Sequence, residues 1–342
     1  MPDYRRIATE EAFATRDQMN AFRRLLADGY DDPGFKSLWG FYLNSSSDRA
    51  RFIIDRLQNL GAERIADMDA SGIDMQVLSL TSPGVQVFDA ATANALARDS
   101  NDELAAAIAR HPTRFVGLAA AAPQDPPAAA REIERGVRQL GLRGVIINSH
   151  TMGERLDDPK FWAIFEAAEA LDVPIYLHPN APPRDMIAPY LEAGLDGAVF
   201  GFQAETGLHM LRIIVAGVFD RFPKLKMIIG HCGEALPYWM YRIDYMHRAQ
   251  IAAKRYPMLK ELKRTPSEYL RENVYVTNSG VAWAPAIMFC HQVMGADHTL
   301  YAMDYPYQYL ASEVTVSDNL PMSAEDKKKY FQTNAEKLFR IR

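Results

Sequence analysis

The sequence predicts an α/β fold, a (β/α)8 TIM barrel with insertions, and three observations predict it. Short apolar, β-branched runs recur along the 342 residues, each followed by a longer stretch of helix formers at a period near 3.6. The apolar centres of these runs are continuous rather than alternating, as parallel strands covered by helices require. The first run leads into EEAFAT, which holds no glycine, so the Gly-rich turn of a doubly wound nucleotide-binding sheet is missing. Nothing divides the chain: it has no repeat and no Gly/Ser or Pro linker, so residues 1–342 read as one barrel domain.

In chain order, Tyr4–Thr9 is the first strand. Ala50–Ala70 is a helix and Ile73–Leu80 the second strand, with Ala91–Arg110 the helix that returns the chain to the third, Arg114–Ala119. Ala128–Gln139 leads to Gly144–Asn148, and Phe161–Ala170 lies between that run and its neighbour Pro174–His178. Ala204–Phe219 precedes Lys226–Gly230, and the last strands are Asn273–Thr277 and Thr299–Met303, with helix Ala284–Met294 between them. Most of the helical stretches have a Gly or Pro just beyond their ends, where helices stop.

Composition narrows the function. Hydrophobic residues make up 48% and charged residues 24%, the balance of a soluble globular protein. A formal charge of −5 without a basic run argues against nucleic acid or an acidic membrane surface as partner. Two cysteines, Cys232 and Cys290, are too few for a disulfide framework or a cysteine-built zinc site. The opening MPDYRRIATEE lacks the apolar centre of a signal peptide, and no apolar stretch approaches the ~18 residues that cross a bilayer. The expectation is a cytoplasmic protein.

Barrel active sites are built at the C-terminal ends of strands. The polar residues there are Glu10 and Glu11, Ser82, Ser149 and His150, His178, His231, Asn278 and Ser279, and Asp304. Any one such histidine is most often a hydrogen-bonded structural residue. Two imidazoles and two carboxylates on neighbouring strand ends are a different matter, and Glu10, His178 and Asp304 suit a divalent metal. His231 opens the segment HCGEALPYW, and Glu234 is close enough to hold one ring nitrogen, or to serve a helix N-terminus. His111 and His298 precede strands, on the stability face, and His209, His247 and His291 fall in helical stretches, where structural or solvated roles are expected. His150 is left as a candidate support. Arg49 follows a Ser-Ser-Ser-Asp cap cluster, and Arg242 lies eight residues after Glu234, on one helix face with it. Either arginine could clamp a carboxylate. Leu38-Trp39-Gly40-Phe41-Tyr42, with Tyr305 and Tyr307, could wall a flat apolar pocket.

RIATEEAFAT, SLWGFY, RIADMDASGID, LTSPGVQ, APQDP, INSHT, EAGLDGA, GEALPYW, VTNSGVAW, YAMDYPYQY and FQTNAEK span nearly the whole chain. In these segments it resembles the hydroxybenzoate decarboxylases of the amidohydrolase superfamily. The resemblance implies Glu10, His178 and Asp304 as ligands of one Mn²⁺ or Zn²⁺, with no organic cofactor. It implies His231 beside the metal with Glu234 behind it, and Asp304 as the proton donor. Arg49 and Arg242 would bind the anionic groups of a small aromatic carboxylate, with Phe202, Tyr307 and Trp39 around its ring. Hydrolytic members of the superfamily generally carry two histidines, one residue apart, on the first strand, where Glu10 and Ala12 stand here. That departure argues against hydrolysis and a two-metal site. EEAF resembles the 2,3-dihydroxybenzoate and carboxyvanillate enzymes, while relatives acting on 2,6-dihydroxybenzoate place a histidine at the position of Ala12.

The implied reaction is non-oxidative decarboxylation, most simply of 5-carboxyvanillate, whose second carboxylate calls for a dedicated arginine. Decarboxylation of 2,3- or 2,6-dihydroxybenzoate, a metal-dependent hydrolase or lactonase, and a non-catalytic barrel that binds an aromatic acid are the alternatives. A homodimer or homotetramer is implied, with Arg242 serving either its own chain's site or a neighbouring subunit's.

Overall fold

In a computed structural model, which describes residues 3–341, the apolar runs become nine strands whose pairings are all parallel. They are β1 (Ile7–Phe13), β2 (Met75–Leu80), β3 (Phe115–Gly117), β4 (Ala119–Ala120), β5 (Val145–Asn148), β6 (Ile175–His178), β7 (Met227–Ile229), β8 (Val274–Thr277) and β9 (Thr299–Leu300). They run in sequence order, β1 to β3 and then β4 to β9. Two sets of backbone bonds join these sheets into a ring. The Leu118 amide, between β3 and β4, donates to the Leu78 carbonyl at 2.9 Å, so β3 and β4 are two pieces of one barrel strand. On the far side Thr9 donates to Tyr301 O at 3.0 Å and Ala12 to Tyr305 O at 2.7 Å, which lays the chain after β9 against β1. Eight parallel strands thus close on themselves, as the sequence predicts.

Successive residues of a strand face opposite sides, and both sides are apolar. Ile146, Tyr176, Ile228 and Leu300 belong to one buried cluster, and their neighbours Val145, Ile147, Ile175, Leu177, Met227 and Ile229 to another, which packs on the helices. This is why the runs are continuous in sequence.

Several boundaries differ from expectation. The first strand is Ile7–Phe13 rather than Tyr4–Thr9, so Glu10 and Glu11 lie inside it. Its register against β2 slips between Ala8 and Glu11, a bulge beyond which pairing resumes to Phe13. Ala50–Ala70 is two helices, Asp48–Leu57 and Ala62–Ser71, broken where Gly61 leaves helical geometry and its amide turns to Asn59 Oδ1 at 2.9 Å. Ala204–Phe219 divides likewise at Gly217 (φ 81°) into Gly201–Val215 and Val218–Arg221. The insertion after β1 also contains Arg16–Ala27 and Pro33–Asn44, capped by Thr15 on the Gln18 amide and Asp32 on the Phe35 amide.

Two of the histidines brace the loops around the barrel mouth. His150 bonds the Ala181 carbonyl through Nε2 at 2.8 Å and accepts the Gly153 amide at Nδ1 at 3.1 Å, so it ties two loops together outside the pocket. His209 is fully buried in helix Gly201–Val215. Its Nε2 accepts the Leu156 amide at 2.8 Å, which puts the proton of the neutral ring on Nδ1, facing Ser149 Oγ at 2.9 Å. Ser149 in turn donates to Glu205. Burial, Arg155 and His150 hold the His209 imidazole well below its ordinary range. The unfolded chain therefore takes up the His209 proton first as pH falls, and stability drops below about pH 6.5, at up to ~1.4 kcal/mol per pH unit. Urea midpoints measured from pH 7.5 to 5 should fall in the parent and fall less steeply in His209→Gln; equal slopes would show that the imidazole is not held neutral.

Candidate active site

The floor of the site is a carboxylate with one satisfied and one unsatisfied oxygen. Glu10 Oε2 accepts the Tyr176 hydroxyl and, at 3.1 Å, the Thr277 hydroxyl, both from inside the barrel. Its Oε1 is buried and has no hydrogen-bond partner. His178, at the end of β6, stands 3.3 Å away through Nε2. The Nδ1 of His178 donates to the Pro179 carbonyl at 2.9 Å, so Nε2 carries a lone pair. Burial holds this imidazole below its ordinary range, against the pull of Glu10. Two acceptors therefore face each other across 3.3 Å, an arrangement that calls for a cation.

His231 approaches the same oxygen, with Nε2 3.8 Å from Glu10 Oε1. It is carried by an unusual turn, in which His231, Cys232, Gly233, Glu234 and Ala235 all have positive φ, between 50° and 77°. The left-handed turn curls Glu234 back so that His231 Nδ1 and Glu234 Oε1 meet at 2.7 Å. It is stapled by Gly233 N–H on Gly230 O at 2.7 Å and by the Cys290 thiol on the Cys232 carbonyl at 3.3 Å. Burial lowers the His231 imidazole, but Glu234, Glu10 and Asp304 outweigh it and push the ring up to about 10. Asp304, φ 75°, lies alongside: a Cβ added to Gly280 would sit 3.4 Å from both Asp304 Oδ2 and His231 Cδ2. Burial, then Glu10, raises the Asp304 carboxyl well above the ordinary range.

Over this floor opens a cavity of about 220 Å³, lined by Leu38, Tyr42, Arg49, Ser82, His178, Ala198, Phe202, His231, Asp304, Tyr307 and Gln308. An apolar cavity of about 150 Å³ accepts benzene, so this one suits a single substituted ring. Tyr42 and Tyr307 meet edge to face, with centroids 5.9 Å apart. Tyr307 is fixed by its hydroxyl on Thr81 Oγ1 at 2.6 Å, and Arg49 by donating to the Tyr307 carbonyl at 2.7 Å.

The structure thus brings Glu10, His178, His231, Glu234, Asp304, Arg49, Phe202 and Tyr307 to one place. Trp39 is not in the wall: it is fully buried, donates to the Ser82 carbonyl at 3.0 Å, and backs Tyr42. Tyr305 is likewise buried, with its hydroxyl on Asp67 at 2.8 Å. Arg242 is exposed and does not line the cavity. It does not share a helix face with Glu234, because the helix begins only at Leu236, after the left-handed turn. The sequence reading overlooks Tyr176 and Thr277, although Tyr176 sits two residues before His178 on the same strand face. It also leaves Ser82 and Gln308 without a role, and Ser82 Oγ is a buried hydroxyl with no partner in the cavity wall.

Among the described residues no three His, Cys, Asp or Glu side chains form a closed ligand cage. The donor set nevertheless fits a divalent cation. The orphaned Glu10 Oε1, the His178 lone pair and a carboxyl at Asp304 are oxygen and nitrogen donors with a deficit of positive charge.

A barrel with this mouth is what comparison with known proteins also returns. Residues 53–341 match the model of the amidohydrolase family, and the chain belongs to that family, in the branch of the aromatic-acid decarboxylases. It is 36% identical over 344 residues to gamma-resorcylate decarboxylase of Polaromonas sp. strain JS666, with 98% of each chain covered. A crystal structure of 5-carboxyvanillate decarboxylase from Novosphingobium aromaticivorans, complexed with manganese and 4-hydroxy-3-methoxy-5-nitrobenzoic acid, is 57% identical. It superposes with a TM-score of 0.98 over 99% of this chain and 97% of that one. The 5-carboxyvanillate decarboxylase of Sphingomonas paucimobilis is 40% identical, with a TM-score of 0.94 over 99% and 100% of the two chains.

The coupling of His231 to Glu234 can be measured directly. In Glu234→Gln the imidazole loses its nearest negative charge, and an NMR titration should show its pKa fall from about 10 by one to three units. An unchanged titration would mean that Glu234 does not hold the ring.

Proposed function

We propose that this chain is a metal-dependent carboxy-lyase, one barrel domain over residues 1–342, that converts 5-carboxyvanillate to vanillate and CO₂. The observation that carries the reading is the orphaned Glu10 Oε1 opposite the His178 lone pair, at the floor of a ring-sized cavity edged by Arg49. The likeness to manganese-bound 5-carboxyvanillate decarboxylase at 57% identity, against 36% for the gamma-resorcylate enzyme, favours the carboxyvanillate substrate.

Glu10, His178 and Asp304 would hold one Mn²⁺. When bound, such an ion acts as a Lewis acid toward a phenolate and the adjacent carboxylate. The protein supplies the rest. Direct loss of CO₂ from the ring would leave an aryl carbanion in the ring plane with nothing to delocalise it, so protonation of the carboxyl-bearing carbon comes first. Asp304, in the cavity wall beside His231, is the acid placed to carry that proton. His231 and Glu234 form a held cation and anion beside it, and Arg49 offers a guanidinium at the cavity edge. Phe202, Tyr42 and Tyr307 keep the ring flat and dry. Once the carbon is tetrahedral, the electrons of the C–C bond return to the ring as CO₂ departs.

Arg242 enters through association. The helix Leu236–Ala252 exposes Tyr238 (71%), Tyr241 (83%), Tyr245 and Trp239 around it, an aromatic face suited to a second copy of the chain. In a homodimer built on this face, Arg242 serves the neighbour's pocket and pairs with the carboxylate that survives the reaction. Among the described residues no helix is long and apolar enough to cross a membrane.

Purified protein should contain about one manganese per chain, release CO₂ from 5-carboxyvanillate faster than from 2,3- or 2,6-dihydroxybenzoate, and lose activity to a chelator. Two tight ions per chain, or full activity without metal, would falsify the assignment. Asp304→Asn should cost ~10²–10⁴ in kcat. Arg242→Met should weaken use of the dicarboxylate by roughly 2–5 kcal/mol while sparing monocarboxylates. Equal losses on both would make it a structural residue, and a fully active monomer in sedimentation would exclude its action between subunits.

A further inference from the structure

Asp304 holds a left-handed backbone conformation that a non-glycine residue rarely keeps unaided. The backbone amides of the two neighbouring residues are anchored to one side chain. The Met303 amide donates to Glu11 Oε1 at 2.9 Å, and the Tyr305 amide donates to Glu11 Oε2 at 3.1 Å. Glu11 is fully buried, so these bonds face no competition from water.

We infer that Glu11 is a positioning residue, a two-pronged clamp on the amides flanking Asp304 that fixes where the Asp304 carboxyl stands. The bulge in β1 lets two consecutive glutamates serve one site, with Glu10 on its floor and Glu11 behind the loop that carries Asp304. A carboxylate is the side chain for this task, because two N–H donors converge and only two acceptor oxygens satisfy both. An amide side chain would satisfy one and turn its own NH₂ toward the other. The clamp is itself braced. Arg64, fully buried, donates to Gln76 Oε1 at 2.7 Å and to the Ala12 carbonyl at 2.6 Å, and its guanidinium lies 4.4 Å from the Tyr305 ring centroid. The competing account is that Glu11 serves only as the counter-charge of Arg64. Its two oxygens accept the amides at 2.9 and 3.1 Å and Gln76 Nε2 only at 3.5 Å, however, while Arg64 bonds Gln76 and Ala12 and not Glu11.

The test compares the parent with Glu11→Gln and with Glu11→Gln/Arg64→Met, in which the unbalanced arginine is also removed. Hydrogen–deuterium exchange should show the Met303 and Tyr305 amides about tenfold faster in both variants, with β5 to β7 unchanged. Chelator competition should show Mn²⁺ bound ~10–100-fold more weakly, the range seen when a ligand's supporting bond is lost. Because the inference rests on the decarboxylase reading only for its kinetics, one arm uses 5-carboxyvanillate: kcat should drop ~10–100-fold with KM within about threefold. The double variant should regain thermal midpoint but none of these losses. Parent-like exchange and Mn²⁺ affinity in Glu11→Gln would overturn the clamp, as would full recovery in the double variant. If the single variant does not fold, the same readouts on the double variant decide. Failure of turnover in the parent itself would strike the substrate reading and leave the exchange result intact.

Discussion

The arrangement of the barrel mouth follows from one electrostatic problem. Glu10 and Glu234 are buried and Asp304 is half-buried, all within reach of one another, and burial raises the Glu234 and Asp304 carboxyls. The fold answers with unequal partners. Glu234 is matched by His231 at 2.7 Å, and half of Glu10 by Tyr176 and Thr277. What is left over is Glu10 Oε1, Glu234 Oε2, one imidazole lone pair and one acid. Of these, Glu10 Oε1, His178 and Asp304 border or underlie the cavity, so an electrostatically incomplete part of the site is open to a ligand.

Holding these groups takes backbone geometry that local sequence does not favour. A left-handed residue with a side chain costs roughly 1–2 kcal/mol, and the turn from His231 to Ala235 contains four of them. Ordinary helix geometry after β7 would leave the Glu234 carboxylate to cap a helix N-terminus. The left-handed path places it on the imidazole and starts the helix afresh at Leu236. Bonds from distant parts of the chain sustain such strain: Cys290 on Cys232, and Glu11 on either side of Asp304. Well-packed strands on both faces supply the rigidity against which these loops are held.

Much of this was legible in the sequence, and the rest was not, for identifiable reasons. Glu10, His178, His231 and Asp304 could be found because barrel topology alone brings strand ends together, however far apart in sequence. Tyr176 escaped because a tyrosine in an apolar run reads as core, and only its hydroxyl, reaching Glu10 across 166 positions, shows otherwise. Glu11 bonds backbone amides 292 and 294 positions away, and a backbone amide leaves no mark in sequence. The placement of Arg242 on the face of Glu234 failed because helical phase was carried through a turn that is not helical, and the single glycine within it, Gly233, gave little warning. The bulge in β1 was hidden for a similar reason, since its boundary was drawn where apolar residues stopped rather than where pairing stops.

The same geometry argues for a single ion. In Glu10 one oxygen is committed to two hydroxyl donors, which leaves Oε1 alone to reach a cation. Ala12, two residues on, presents a methyl group where a second imidazole would be needed to enlarge the donor set. A metal pair activates a water held between its ions; one ion held by Glu10, His178 and Asp304 would supply Lewis acidity to the substrate's own oxygens. In a narrow cavity walled by Phe202, Tyr42 and Tyr307, a flat acid with adjacent hydroxyl and carboxylate oxygens would bring them to that ion and leave its ring carbon beside Asp304. On β1, then, Glu10 alone offers a free donor beneath the cavity, and a single free donor there suits a single ion.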